Sequence, residues 1–222
     1  LQNKGLKFEY CLCWANENWT RRWDGADHYI LLKQDYILDD MKNLIYFFIE
    51  HFKEDRYLRY QGKPVLLIYR IDDIPIWNEL SYLWREECYR HGIGDIHIAG
   101  VWGVKDAKFS QPPSLFGLDS YVIFPPHGSK FVDAKSNVVD LIKSFSGTIY
   151  DYDEVIEHDV ERFKFGYEFP FHRGMMLNWD NSPRVHDSSR IFVGFTPLRF
   201  AYWLRKLLKT ENFYNSNEES LV

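Results

Sequence analysis

The stretch CLCWANENWTRRWDG, residues 11–25, places three tryptophans, two asparagines, one glutamate, two arginines and one aspartate directly after a short apolar run. Flat aromatic faces beside amide, carboxylate and guanidinium groups suit a sugar. The C–H face of the ring stacks, and each hydroxyl needs a polar partner because an unpaired one costs desolvation. From this stretch the candidate sugar contacts are Trp14, Asn16, Glu17, Asn18, Trp19, Arg22 and Asp24. Further candidates lie in similar clusters downstream: Tyr69 and Arg70, Trp102, His127 behind two prolines, and the run Trp179, Asp180, Asn181. Glycosidic bond chemistry also requires two carboxyl groups ~5–10 Å apart. The carboxylates available are Glu17, Asp24, Asp72, Asp73 and Asp180, with Glu17 the candidate catalytic residue. Plainer roles stand beside these. Asparagines cap turns, Trp23 is as readily core as surface, one of the adjacent Arg21 and Arg22 can pair with Asp24, and Asp72 and Asp73 can simply start a turn. An arginine facing the pocket would suit a phosphate or a uronate.

Something must hold these groups in place, and the apolar pattern supplies it. Continuous apolar runs predict buried strands at 8–14, 63–70, 96–102, 118–124 and 174–179. Between them the spacing predicts helices from Asp39 or Asp40 to about Phe52, from about Asn78 to His91 with Gly92 as its stop, loosely over 134–145, over 152–163, and from a Thr196 cap to about Lys209. The last helix offers Phe200, Ala201, Trp203, Leu204, Leu207 and Leu208 as its apolar face. Strands alternating with helices imply a parallel α/β sheet, either doubly wound or a (β/α)8 barrel. No Gly-rich phosphate loop follows any strand, which weighs against a nucleotide-binding open sheet. Each predicted strand ends in one of the clusters above, and a barrel carries its active face on that rim. On that reading Glu17 and Asp180 stand on opposite sides of the rim, and no two neighbouring strand ends offer an obvious close carboxylate pair.

The composition of the 222 residues narrows the function classes. Aromatic residues make up 18%, more than a core of this size requires, which favours stacking surfaces. A net charge of −5 without a basic block argues against a nucleic-acid groove. No apolar run approaches the ~20 residues of a membrane span. The three cysteines have no framework or metal-ligand spacing, so no metal or cofactor is expected and a reducing, cytoplasmic setting is. Cys11 and Cys13, two apart in a strand, are expected to be packed thiols on one face.

FEYCLCWANENWTRRWDG, GKPVLLIYR, FPPHG and NWDNSPR, in that order, resemble the WbsX-like polysaccharide-biosynthesis family of glycosyltransferases, related to the glycoside hydrolase family ninety-nine-like TIM barrels. The resemblance covers about residues 8–209. It implies a carbohydrate substrate, with glycosyl transfer or hydrolysis in surface-polysaccharide (lipopolysaccharide-type) metabolism. It also implies barrel strands upstream, and downstream a stretch with two glutamates that do the acid/base work in the related hydrolases. Leu221 and Val222 read as the start of another strand. The expectation is therefore one incomplete barrel domain over 1–222, a partial (β/α)8 fold with its first and last strands outside the chain. It would hold a sugar-binding rim without a full catalytic pair. A non-catalytic sugar-binding remnant is the alternative, and the absence of an acidic diphosphate-binding pair at a strand end tilts the chemistry towards a hydrolase-type site.

Overall fold

The computed structural model describes residues 7–21, 26–102, 111–126, 133–134, 145–162, 168–183 and 189–209. In chain order their elements are β1 (Leu12–Trp14), β2 (Trp19–Arg21), β3 (Ala26–Leu32), α1 (Leu38–Phe52), β4 (Arg59–Tyr60), β5 (Lys63–Ile68), α2 (Trp77–Arg90), β6 (His97–Trp102), β7 (Ser120–Ile123), β8 (Thr148–Asp151), α3 (Tyr152–Arg162), β9 (Phe171–His172), β10 (Arg190–Val193) and α4 (Pro197–Lys209). The main sheet runs β1–β5–β6–β7–β9, parallel throughout, with β4 antiparallel on β5. The chain is thus α/β with a mostly parallel sheet whose strand order follows chain order without reversal. Two small sheets stand apart, β2–β3 antiparallel and β8–β10 parallel.

The sheet is apolar on both faces, as its unbroken hydrophobic strands require. Leu66, Ile68, Ile98 and Tyr121 pack with Ile45, Phe48 and Phe52 of α1 and Leu80 and Trp84 of α2. Ile123, on the same face as Tyr121, packs with Val155 and Ile156 of α3 and Trp203 and Leu207 of α4. The described helices therefore gather on one face. Val65, Ala99, Val101 and Ser120 point to the other face and are buried as well. No described helix is long and apolar enough to cross a membrane.

At the end of the sheet where β6 and β7 begin, Arg85 of α2 donates to Asp95 and to Asp119, each at 2.7 Å, and to Ile96 O at 2.6 Å. Lys63 completes this knot on Asp95 at 2.7 Å. Burial works against both charges, yet the two carboxylates hold the Arg85 guanidinium above its ordinary value, and Lys63 and Arg85 hold Asp95 below its own.

Most expected elements are present, with corrections. α1 begins two or three residues earlier, with Ile37 as N-cap and no side-chain cap; Asp39 and Asp40 lie in its first turn, favourable to the helix dipole but not capping. Gly92 does stop α2, at φ +74°, and Thr196 does cap α4, its Oγ1 accepting from Arg199 N at 3.2 Å. Only Trp203 and Leu207 of the α4 face are buried, and Leu208 is exposed. The fifth strand is Phe171–His172, not 174–179. Over 174–179 the apolar side chains Met175, Met176 and Trp179 pack on the α3–α4 cluster, and the Tyr152 hydroxyl donates to the Met176 carbonyl at 2.7 Å. The helix expected around 134–145 falls almost wholly outside the described residues. Cys11, Cys13 and Cys88 are free, and burial first of all pushes the Cys13 and Cys88 thiols up to about 12, so they are inert packing groups at neutral pH.

Candidate functional site

The C-terminal ends of β1 and β5 are neighbours, because Trp14 pairs with Ile68 and Tyr69 N donates to Trp14 O at 3.1 Å. That register brings the next residues of both strands together. Glu17 Oε1 stands 2.5 Å from Arg70 Nη2, and Asp73, from the 3-10 turn that follows, stands 3.6 Å from Arg70 Nη1. Arg70 also lies over the Tyr69 ring, 5.7 Å from its centroid. Tyr69 meets Phe124, past the end of β7, edge to face at 5.9 Å. Tyr69 and Phe124 continue the strand face that points away from the helices. Both Glu17 and Arg70 are about one-quarter exposed, and Arg70 Nε has no aligned acceptor among the described residues. These strand ends thus bring together an arginine, two carboxylates converging on it, and an aromatic pair beside it.

Other predicted contacts are placed differently. Trp14 shares the face of Leu12 and Leu66 and packs on Trp84 at 5.5 Å and Tyr36 at 6.2 Å, so it belongs to the helix-side core rather than to the rim. Trp102 is likewise on the helix side, 4.6 Å from the Phe171 ring and beneath the Arg162 guanidinium at 5.6 Å. Strand parity decides both cases: the last apolar residue of a strand is on the rim only if its side chain alternates to that face. Asn16 is fully buried, its amide bonded to Arg70 and Tyr36, so it supports the rim without facing solvent. Asn18 accepts from Gln34 N at 2.7 Å and ties the β2–β3 hairpin at its neck. Trp19 stands on β2, 66% exposed.

Trp179, Asp180 and Asn181 do not end a strand of the main sheet. They run beside β10: Phe192 N donates to Trp179 O at 2.9 Å, Asp180 bridges Ile191, and Asn181 Oδ1 accepts from Arg190 N. Asp180 Oδ1 accepts from Ser182 N at 2.8 Å, a local turn bond. Arg22, Asp24 and His127 lie outside the described residues, as does Trp23.

From the sequence, Asp73 counts as an available carboxylate but is assigned to a turn rather than to the site, and Phe124 is not a site candidate. The signal for Asp73 was present, a carboxylate three residues after a strand-end arginine; Phe124 could be placed only by knowing which way its strand alternates.

The chain matches the family described as Glycosyltransferase WbsX over residues 1–222. It belongs to the WbsX glycosyltransferase family. Proteins named WxcX from two strains of Xanthomonas campestris pv. campestris are 35% identical to it over 207 residues, covering 92% of this chain and 28% of theirs. The chain therefore spans a little over a quarter of these relatives' length. No solved structure matches it.

Proposed function

We propose that this chain is the sugar-binding part of a carbohydrate-active enzyme of surface-polysaccharide biosynthesis, built as a portion of a (β/α)8 barrel. The barrel reading is supported, among the described residues, by strand order without reversal and by helices on one face of the sheet; a doubly wound sheet reverses order and carries helices on both faces. The observation that carries the function is the Glu17–Arg70 pair at neighbouring strand ends, with Asp73 and the Tyr69–Phe124 rings around it. Glu17 and Asp73 accept from sugar hydroxyls, Arg70 donates, and Tyr69 or Phe124 offers an apolar edge to the ring. Family membership supports glycosyl transfer as the reaction of the whole protein. The rim itself is described by two carboxylates and one guanidinium, a poor seat for a nucleotide diphosphate and a better one for an uncharged sugar.

The test is ligand-observed NMR with methyl glycosides of glucose, galactose and mannose and with short oligosaccharides. Binding by the wild-type chain is expected, with loss in Glu17→Gln and in Arg70→Met. A folded chain that binds none of the panel, or variants that bind as wild type does, would overturn the reading.

A further inference from the structure

The β1–β5 ladder ends at the bond from Tyr69 N to Trp14 O, and a side chain continues it. Asn16 Oδ1 accepts from Arg70 N at 2.8 Å, and Asn16 Nδ2 donates to Arg70 O at 2.7 Å. A primary amide presented in this way imitates the peptide group of a neighbouring strand, engaging both backbone groups of one residue. Asn16 Nδ2 also reaches Tyr36 Oη at 3.2 Å, while Tyr36 Oη donates to Asn16 O at 2.9 Å. Asn16 is fully buried, so its amide depends on these partners, themselves partly exposed, rather than on water. The residue whose backbone it clamps is the same one whose side chain meets Glu17, its own chain neighbour.

We propose that Asn16, locked by Tyr36, is a positioning residue that sets the Arg70–Glu17 pair at the rim. The importance of that pair rests on the sugar-binding reading above; the clamp does not. The residue type follows from the geometry. Asp supplies the acceptor for Arg70 N but turns an oxygen towards Arg70 O. Gln carries its amide one methylene too far, and Ala removes both bonds. Tyr36 comes from the segment between β3 and α1, so the clamp also closes the neck of the β2–β3 excursion beside the Asn18–Gln34 bond.

The readout is the NMR signal of the Arg70 guanidinium in the full chain. A held guanidinium rotates slowly and shows distinct Nη–H signals; a released one averages them. Wild type is expected to show distinct signals, and Glu17→Gln is expected to average them, which establishes that they report the pair. Asn16→Asp and Asn16→Ala should average them in a chain that is still folded. Tyr36→Phe, which removes one hydroxyl and retains the ring, should speed the exchange at least threefold. Ile156→Val, in the α3–α4 cluster, destabilises the protein elsewhere and should leave the signals distinct. Unchanged Arg70 signals in Tyr36→Phe, or in a folded Asn16→Asp, overturn the proposal, as does averaging in Ile156→Val, which would mean general loosening. Methyl glycosides titrated into wild type separate the two ideas. Distinct Arg70 signals that no glycoside perturbs leave the clamp standing and remove the sugar.

Discussion

Two arginines stand at opposite ends of one parallel sheet, each 22% exposed and each facing two carboxylates. They are used differently. Arg85 has Asp95 and Asp119 at 2.7 Å and the Ile96 carbonyl at 2.6 Å, and its carboxylates have partners of their own in Lys63 and Ile98 N. Arg70 has Glu17 close, Asp73 at 3.6 Å, and a buried Nε without an aligned acceptor among the described residues. The first is a saturated knot that fixes α2 to the beginnings of β6 and β7. The second is not saturated, and its near partner Glu17 is about one-quarter exposed at the strand end. Charge, exposure and the number of carboxylates do not distinguish them; hydrogen-bond saturation does.

The contrast is sharpest if each arginine is removed. Arg85→Met should cost about 3 kcal/mol in urea unfolding, because two carboxylates lose their shared partner, while glycoside binding survives below the melting temperature. A stability loss under 1 kcal/mol would erase the distinction. Acid probes a third polar group on the same sheet that neither arginine explains. His172 of β9 is pushed down from 6.5 to about 4, by burial first and then by His97, against which and Tyr60 its ring packs. The unfolded chain takes up that proton more readily than the folded one. Its stabilising contribution is therefore complete above pH 6.5 and is lost as pH falls towards 4, by as much as about 3 kcal/mol. His172→Phe should flatten that slope in melts run across the window. Arg70→Met and Glu17→Gln should each weaken glycoside binding at least about tenfold, near 1.4 kcal/mol, and move stability less than Arg85→Met does. The smallest effect is expected at Trp19. It is 66% exposed, so Trp19→Ala should stay within about 0.5 kcal/mol in stability, and any loss of oligosaccharide binding would extend the site onto the hairpin.

How far the site was legible differs along the chain. Glu17 and Arg70 were readable as polar groups at strand ends, and the structure brings them together because β1 and β5 are sheet neighbours. Trp14 and Trp102 carry the same kind of signal and were misplaced, because composition at a strand end does not say which face the last residue takes. Asp180 was misplaced for a different reason. The apolar run before it, GMMLNW, has the makeup of a strand, yet its side chains are used by the α3–α4 cluster and its ladder position by Phe171–His172.

The sequence by itself determined the elements with strong periodicity and the family. β5, β6, β7, α1 and α2 follow from local apolar spacing and, for α2, the Gly92 stop, which are properties of a few consecutive residues. The hairpin β2–β3, the β8–β10 pair and the partners of Arg70 and Arg85 were decided only in three dimensions. A hydrogen-bond partner 54 residues away, as Asn16 is from Arg70, is set by sheet register, and register is a property of two strands at once.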